Sequence, residues 1–324
     1  SGAAPAPPGR LVDIGGYRLH IYCTGSGSPA VVLLAGSGDF SFDWSLVQPG
    51  VARSTRVCSY DRAGQAWSDP GPTPRSMRQE VHELHLLLGR AGVRPPYVLV
   101  GHSYGGLLAR MYAGTWPREV AGVVLVDPTH ESTRLMMQGR VVALRETAGS
   151  RTVPPVQTMR SSRPHPPTEE DRQQEEMNRQ AFGPPAISPP FDRLPRDAQA
   201  LRLWALGLPA KSASADDYWA EELRDLHEAR RTHPHPLGSI PLVVLAGGRA
   251  EPTPQGLTDE AWRELTAEKR AQKADLATLS TRGRLIVSQR SGHHVQLDDP
   301  ALVVRTISEM VTRARGSRRA AATR

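Results

Sequence analysis

Ser103 lies in Val98-Leu99-Val100-Gly101-His102-Ser103-Tyr104-Gly105-Gly106-Leu107, a Gly-x-Ser-x-Gly run between an apolar stretch and a helix-forming one. A hydroxyl that attacks a carbonyl carbon must stand clear of the strand that carries it. The chain therefore turns sharply there, and flanking glycines leave room for the turn. A helix starting at this point aims its free N–H groups at the site and favours developing negative charge. Serine is a weak nucleophile until a base takes its proton. Ser291-Gly292-His293-His294 offers two imidazoles, and adjacent side chains cannot point the same way. His293 directly follows the glycine and is the expected base; His294 is expected to form a pocket wall. The chemistry these residues can do together is acyl transfer.

Two further parts are needed. The negative oxygen of a tetrahedral intermediate requires backbone donors, and Gly36-Ser37-Gly38-Asp39 follows an apolar run. The amide of Ser37 is expected to pair with that of Tyr104 in an oxyanion hole. The imidazole requires a carboxylate to orient it. Asp127 ends the run Val120 to Val126, and Glu251 is the only carboxylate in Leu242-Val243-Val244-Leu245-Ala246-Gly247-Gly248-Arg249-Ala250-Glu251. Asp127 is preferred, because its strand should neighbour the serine's strand; Glu251 is the alternative. No His-Glu-x-x-His or Cys-x-x-Cys is present, so no metal site and no cofactor is expected.

The elements that must position these groups are legible as alternating runs. Leu11–Ile14 and Tyr17–Tyr22 flank Gly15-Gly16 and read as a hairpin. Ala30–Ala35 reads as a strand buried on both faces, and Arg56–Tyr60, Tyr97–Val100, Val120–Val126, Leu242–Leu245 and Arg284–Ser288 read as further strands. Helices are expected around 44–53, 75–90, 103–116, 258–279 and 301–312. The pattern predicts an α/β fold: a mostly parallel eight-stranded sheet, helices on both faces, and a helical lid insertion. Residues 1–128 and 239–315 form the core, 129–238 the lid, and 316–324 a basic disordered tail. Met136, Met137, Trp204 and Trp219 are candidate pocket-lining residues of the lid.

At this point the chain resembles the α/β-hydrolase superfamily, and within it a bacterial group of esterase-like serine hydrolases. The resemblance runs through Gly9-Arg10-Leu11-Val12-Asp13, Tyr60-Asp61-Arg62-Ala63-Gly64, Gly101-His102-Ser103-Tyr104-Gly105-Gly106 and Val123-Val124-Leu125-Val126-Asp127-Pro128. It resumes at Pro241 and includes Ser291-Gly292-His293. It covers both core blocks and not the insertion. Ala66 stands where similar sequences have glycine, and His294 where an aromatic or hydrophobic residue is commoner. Asp61, Arg62, Ser68 and Asp69 read as a hydrogen-bonded loop that braces the site. The resemblance implies hydrolysis of a carboxylic ester or lactone through a Ser-His-Asp acyl-enzyme. Rival readings are a thioesterase, peptidase or carbon–carbon hydrolase, and a non-catalytic binding protein on the same fold.

The net charge of +7 does not mark a nucleic-acid binder. Arg313, Arg315, Arg318, Arg319 and Arg324 account for five of the +7, leaving +2 for the rest of the chain. Partners are therefore expected to be small acyl molecules, with no nucleic acid and no membrane span. The 324 residues begin at Ser1 in an Ala/Pro-rich run, which suggests that a leader or anchor once preceded them. Cys23 and Cys58 read as a pair of buried thiols, with a single bridge between neighbouring strands as the alternative.

Overall fold

The computed structural model describes residues 4–137, 140–157, 184–208 and 218–322, together with 169 and 173. Ten strands are described: β1 (Arg10–Asp13), β2 (Arg18–Thr24), β3 (Ala30–Leu34), β4 (Val57–Tyr60), β5 (Tyr97–His102), β6 (Val120–Val126), β7 (Arg134–Met137), β8 (Arg140–Ala143), β9 (Leu242–Gly247) and β10 (Gly283–Ser288). Eight of them form one sheet in the order β1-β2-β4-β3-β5-β6-β9-β10. The β1–β2 and β2–β4 pairs are antiparallel, and every later pair in that sheet is parallel.

Alternation along β3 explains why its whole run is apolar. Val32 and Leu34 pack with Leu84, Leu87 and Leu107, whereas Val31 and Leu33 pack with Val51, Val303 and Ile307. Successive strand side chains face opposite sides, so a sheet covered twice needs apolar residues throughout. On one face lie α2 (Met77–Arg90), α3 (Tyr104–Thr115) and α6 (Asp259–Ala277). On the other lie α1 (Gln48–Ala52) and α8 (Pro300–Ala322), with the short α7 (Val295–Asp298) between β10 and α8. Ser76 caps α2 by accepting from Gln79 N–H, and Thr258 caps α6 by accepting from Ala261 N–H.

The structure corrects four expectations. The insertion is not wholly helical: besides α4 (Arg196–Leu206) and α5 (Trp219–Thr232), β7 and β8 pair antiparallel in a separate hairpin. Each of these strands has four residues, too few for a period to show in sequence. The cysteines are bridged, because antiparallel β2 and β4 set Cys23 directly opposite Cys58 with Cα atoms 4.0 Å apart. The expected tail continues α8 as far as Ala322; arginine and alanine are strong helix formers. The expected helix over 44–53 shrinks to α1, preceded by a 3-10 turn at Ser41–Trp44.

Candidate active site

The loops after β5, β6 and β10 converge at one end of the sheet. Ser103 is held at φ 50° and ψ −117°, between the end of β5 and the start of α3. Only a chain whose surroundings over-determine it keeps a serine in that region. Its N–H donates to Val126 O at 3.0 Å, and its own carbonyl accepts from Thr129 N–H at 3.1 Å. The two glycines have no alternative here. A Cβ on Gly101 would come 2.2 Å from Gly105 O, and one on Gly105 would come 2.3 Å from Leu34 O. The second approach also presses the start of α3 against the end of β3.

Asp127 follows β6 in a left-handed conformation, φ 38°. Aspartate tolerates that region better than most residues. Its N–H donates to Leu245 O at 2.7 Å, and its Oδ1 accepts from Gly247 N–H at 3.1 Å. Its Oδ2 lies 2.6 Å from His293 Nδ1, which leaves His293 Nε2 free to face solvent and substrate. Lys273 on α6 places Nζ 3.5 Å from the same oxygen and donates to Pro128 O. Burial alone would raise the Asp127 carboxyl. The Lys273 ammonium and the bonds from His293 and Gly247 outweigh burial and hold it well below the usual carboxylate range. Burial pushes the Lys273 ammonium down, opposed by Asp127.

Ser103 Oγ lies 3.5 Å from Thr129 Oγ1, and among the described residues no hydrogen bond joins it to His293. Such bonds commonly tighten only when substrate is bound. Glu251 is exposed; its carboxylate flanks Gly292, and no bond to His293 is formed. Of the two carboxylates weighed from sequence, Asp127 is the one in contact with the imidazole.

Arg62 organises the loop after β3, donating to Ala35 O at 2.7 Å and to Gly36 O at 2.8 Å. Because C=O and N–H point to opposite sides of a trans peptide, the Ser37 N–H points away from Arg62. Tyr104 N–H is the first of α3 and precedes the helical hydrogen-bond ladder. The rest of the bracing loop behaves as expected: Asp61 pairs with His20, Ser68 donates to Asp61 O, and Asp69 pairs with Arg18. Ala66, in the same loop, takes φ 41°, a conformation that suits the glycine of similar sequences.

A cavity of about 950 Å³ opens beside Ser103, lined among others by Asp127, Thr129, Trp219, Trp262, Lys273 and His293. Trp219 also meets the Tyr104 ring edge to face, with centroids 5.7 Å apart. Two expected lining residues are elsewhere. Trp204 packs on Trp67 with Phe40 and Phe42 nearby. His294 points away from the cavity, with its ring 4.9 Å from that of His102 and 4.7 Å from that of Phe191. Burial first, and then the neighbouring His102, push the His294 imidazole down to about 3, so it is neutral there. Met136 and Met137 contribute backbone to β7, and their side chains lie outside the described residues. Leu135 is the residue of β7 that lines the cavity.

Two clusters among the described residues could offer three donors to a metal: Asp39, His102 and His294, and His130, Glu131 and Asp275. Arginines already serve the carboxylates of both. Arg202 reaches Asp39, while Arg110 and Arg230 reach Glu131 and Arg230 also reaches Asp275.

The model of the alpha/beta hydrolase family matches residues 31–306, which include Ser103, Asp127, Lys273 and His293. The chain belongs to that family. As an α/β hydrolase it resembles the uncharacterized protein YqjL of Bacillus subtilis, 24% identical over 91% of this chain and 88% of that protein. It is 34% identical over 131 residues to the probable transporter efuK of Hormonema carpetanum, of which it spans only 19%. Among solved structures, a thermophilic esterase from Thermogutta terrifontis superposes with a TM-score of 0.61 at 19% identity, covering 92% of this chain and 94% of the esterase. At that identity the likeness speaks for the fold alone.

Lys273 and Thr129 escape a reading of the sequence, since neither belongs to a motif. A faint signal exists for Lys273: only Lys211, Lys269 and Lys273 are lysines in a chain with 40 basic residues. Two of those three line the cavity.

Proposed function

We propose that this α/β hydrolase is a serine hydrolase that cleaves a carboxylic ester or lactone. Ser103 Oγ attacks the carbonyl carbon as its proton passes to His293 Nε2, and Asp127 keeps Nδ1 protonated and the ring in place. The Ser37 and Tyr104 amides hold the oxyanion. Collapse of the tetrahedral intermediate breaks the bond to the leaving oxygen, which takes the proton from His293 and departs as the alcohol. Water then gives a proton to His293 as it attacks the acyl-enzyme. Collapse of this second tetrahedral intermediate breaks the bond to Ser103 Oγ, which takes the proton back from His293 as the acid leaves. The scheme calls on no cofactor. Residues 1–128 and 239–315 act as the catalytic core and 129–238 as a lid that contributes Leu135 and Trp219 to the cavity.

One observation carries the reading. A carboxylate held below its usual range contacts an imidazole at 2.6 Å, and both open onto the same cavity as a serine with positive φ. The likeness to an esterase supports it only at the level of fold. A fluorophosphonate probe combined with an ester panel tests it. Label on Ser103 with saturable ester turnover is expected; label without turnover of any ester or lactone would leave a different acyl chemistry. Absence of label would leave a binding protein.

A further inference from the structure

Helix α6 sorts its charges. It carries Asp259, Glu260, Arg263, Glu264, Glu268, Lys269, Arg270, Lys273 and Asp275. All four basic residues line the cavity beside Ser103, and none of the five acidic ones does. A solvated helix face ordinarily mixes the two signs and gains i,i+4 pairs by doing so. Here the acids are turned elsewhere: Glu268 pairs with Arg134, Asp275 with Arg230, and Asp259 accepts from Thr253.

The cations left facing the cavity are unevenly satisfied. Lys273 is taken by Asp127 and Pro128 O, and Arg249 on the opposite wall pairs with Asp298 at 3.1 Å. Among the described residues, Arg263, Lys269 and Arg270 have no carboxylate within ion-pair distance. Lys269 rests over the Trp262 ring at 5.2 Å, which keeps it at the wall. Among the described residues the lining holds two carboxylates, Asp127 and Glu251, and the first is already engaged. Between these charges lie Leu135, Trp219, Leu285 and Val287, which suit a hydrocarbon segment.

We infer that the cavity takes an anionic substrate: an ester or lactone that also carries a carboxylate, seated against Lys269 and Arg270. This rests on the serine-hydrolase reading of the same site and names its substrate class. The geometry sets the spacing. Lys269 and Arg270 precede Lys273 by one turn of α6, about 5 Å along its axis at roughly 1.5 Å per residue. Lys273 itself touches Asp127. The anion therefore sits a few bonds beyond the scissile carbonyl, and Arg263 continues the basic track outward. Arg263, Lys269 and Arg270 are exposed at the rim of the cavity, so their pull on a carboxylate is a steering field that salt screens.

Two six-carbon p-nitrophenyl esters test it: the hexanoate, ending in methyl, and the adipate monoester, ending in carboxylate. At low salt the adipate monoester is expected to show a kcat/KM at least about tenfold higher, a preference that shrinks severalfold near 0.5 M NaCl. The double substitution Lys269→Gln and Arg270→Gln should reduce the preference by about tenfold through KM, with thermal melting confirming that the variant is folded. Turnover of both esters without preference, or a preference the variant retains, overturns the inference and leaves the serine-hydrolase reading standing. Turnover of neither ester, nor of their lactone counterparts, overturns both.

Discussion

The loops that carry Ser103, Asp127 and His293 are held differently from the described parts of the insertion between β6 and β9. At the sheet end, neighbouring strands tie one another: Ser103 N–H to Val126 O, Asp127 N–H to Leu245 O, and His102 Nε2 to His293 O at 3.1 Å. The first two are backbone bonds that pass from strand to strand in the order of the sheet, and the third spans from β5 to the loop after β10. The insertion instead is anchored by charged side chains. Arg202 of α4 reaches Asp39 and Asp43, and its guanidinium stacks over Phe191 at 3.4 Å. Glu222 of α5 accepts from the N–H groups of Met77 and Arg78 at the start of α2, at 2.6 and 2.9 Å. Backbone ties keep catalytic geometry whatever the side chains do. The Arg202 anchor depends on charge, whereas Glu222 meets uncharged N–H groups and suits its buried place best when protonated. The hold on the insertion therefore responds to pH and to substitution at these two residues.

Ser103→Ala should reduce ester turnover by several orders of magnitude with melting unchanged, as loss of a triad nucleophile does. Retention of more than a few per cent of activity would remove Ser103 from the mechanism. Asp127→Asn comes next. Asparagine accepts the left-handed backbone, so the fold should persist while kcat falls about ten-thousandfold through the wrong imidazole tautomer. Glu251→Gln should change kcat less than about tenfold; the reverse pattern would transfer the role to Glu251.

On the insertion side, Arg202→Met removes the guanidinium from two buried acidic side chains and should cost up to about 3–5 kcal/mol in chemical denaturation. A kcat loss as large as that of Asp127→Asn would show that sheet end and insertion are not separable. The smallest effect concerns pH. Burial raises the Glu222 carboxyl to about 7 from its ordinary 4.5, despite the opposing N–H bonds of α2. The folded state holds this proton more tightly than the unfolded chain, so its contribution is complete below 4.5 and is lost as pH rises through 7. The loss amounts to roughly 3 kcal/mol at most. Glu222→Gln should flatten the fall in stability between those two pH values; an unaltered slope would place the pH dependence elsewhere.

The same division marks what could be read from sequence. Ser103, His293 and Asp127 each end or follow an apolar run and carry local signatures: flanking glycines, a preceding glycine, a following proline. Those signatures are local because the turns that create them are. Lys273, Thr129 and the sorted face of α6 gain meaning only when a helix distant in sequence lies over the serine, and no short-range pattern encodes that. The hairpin β7–β8 is too short to show a period, and Trp204, a plausible lid residue, is drawn to Trp67 instead. Cys23 and Cys58 look unrelated at a separation of 35 until β2 and β4 are known to be neighbours.

That last pairing makes the bridge a record of assembly. A one-residue slip between antiparallel strands moves each side chain to the opposite face. Leu19 and Ile21 of β2 would then leave the core, and Cys23 would no longer stand across from Cys58. The sulfurs meet in only one register, the one that buries this edge of the sheet. Alkylating free thiols in a preparation, and weighing the product, therefore counts the molecules in which β2 and β4 are correctly aligned.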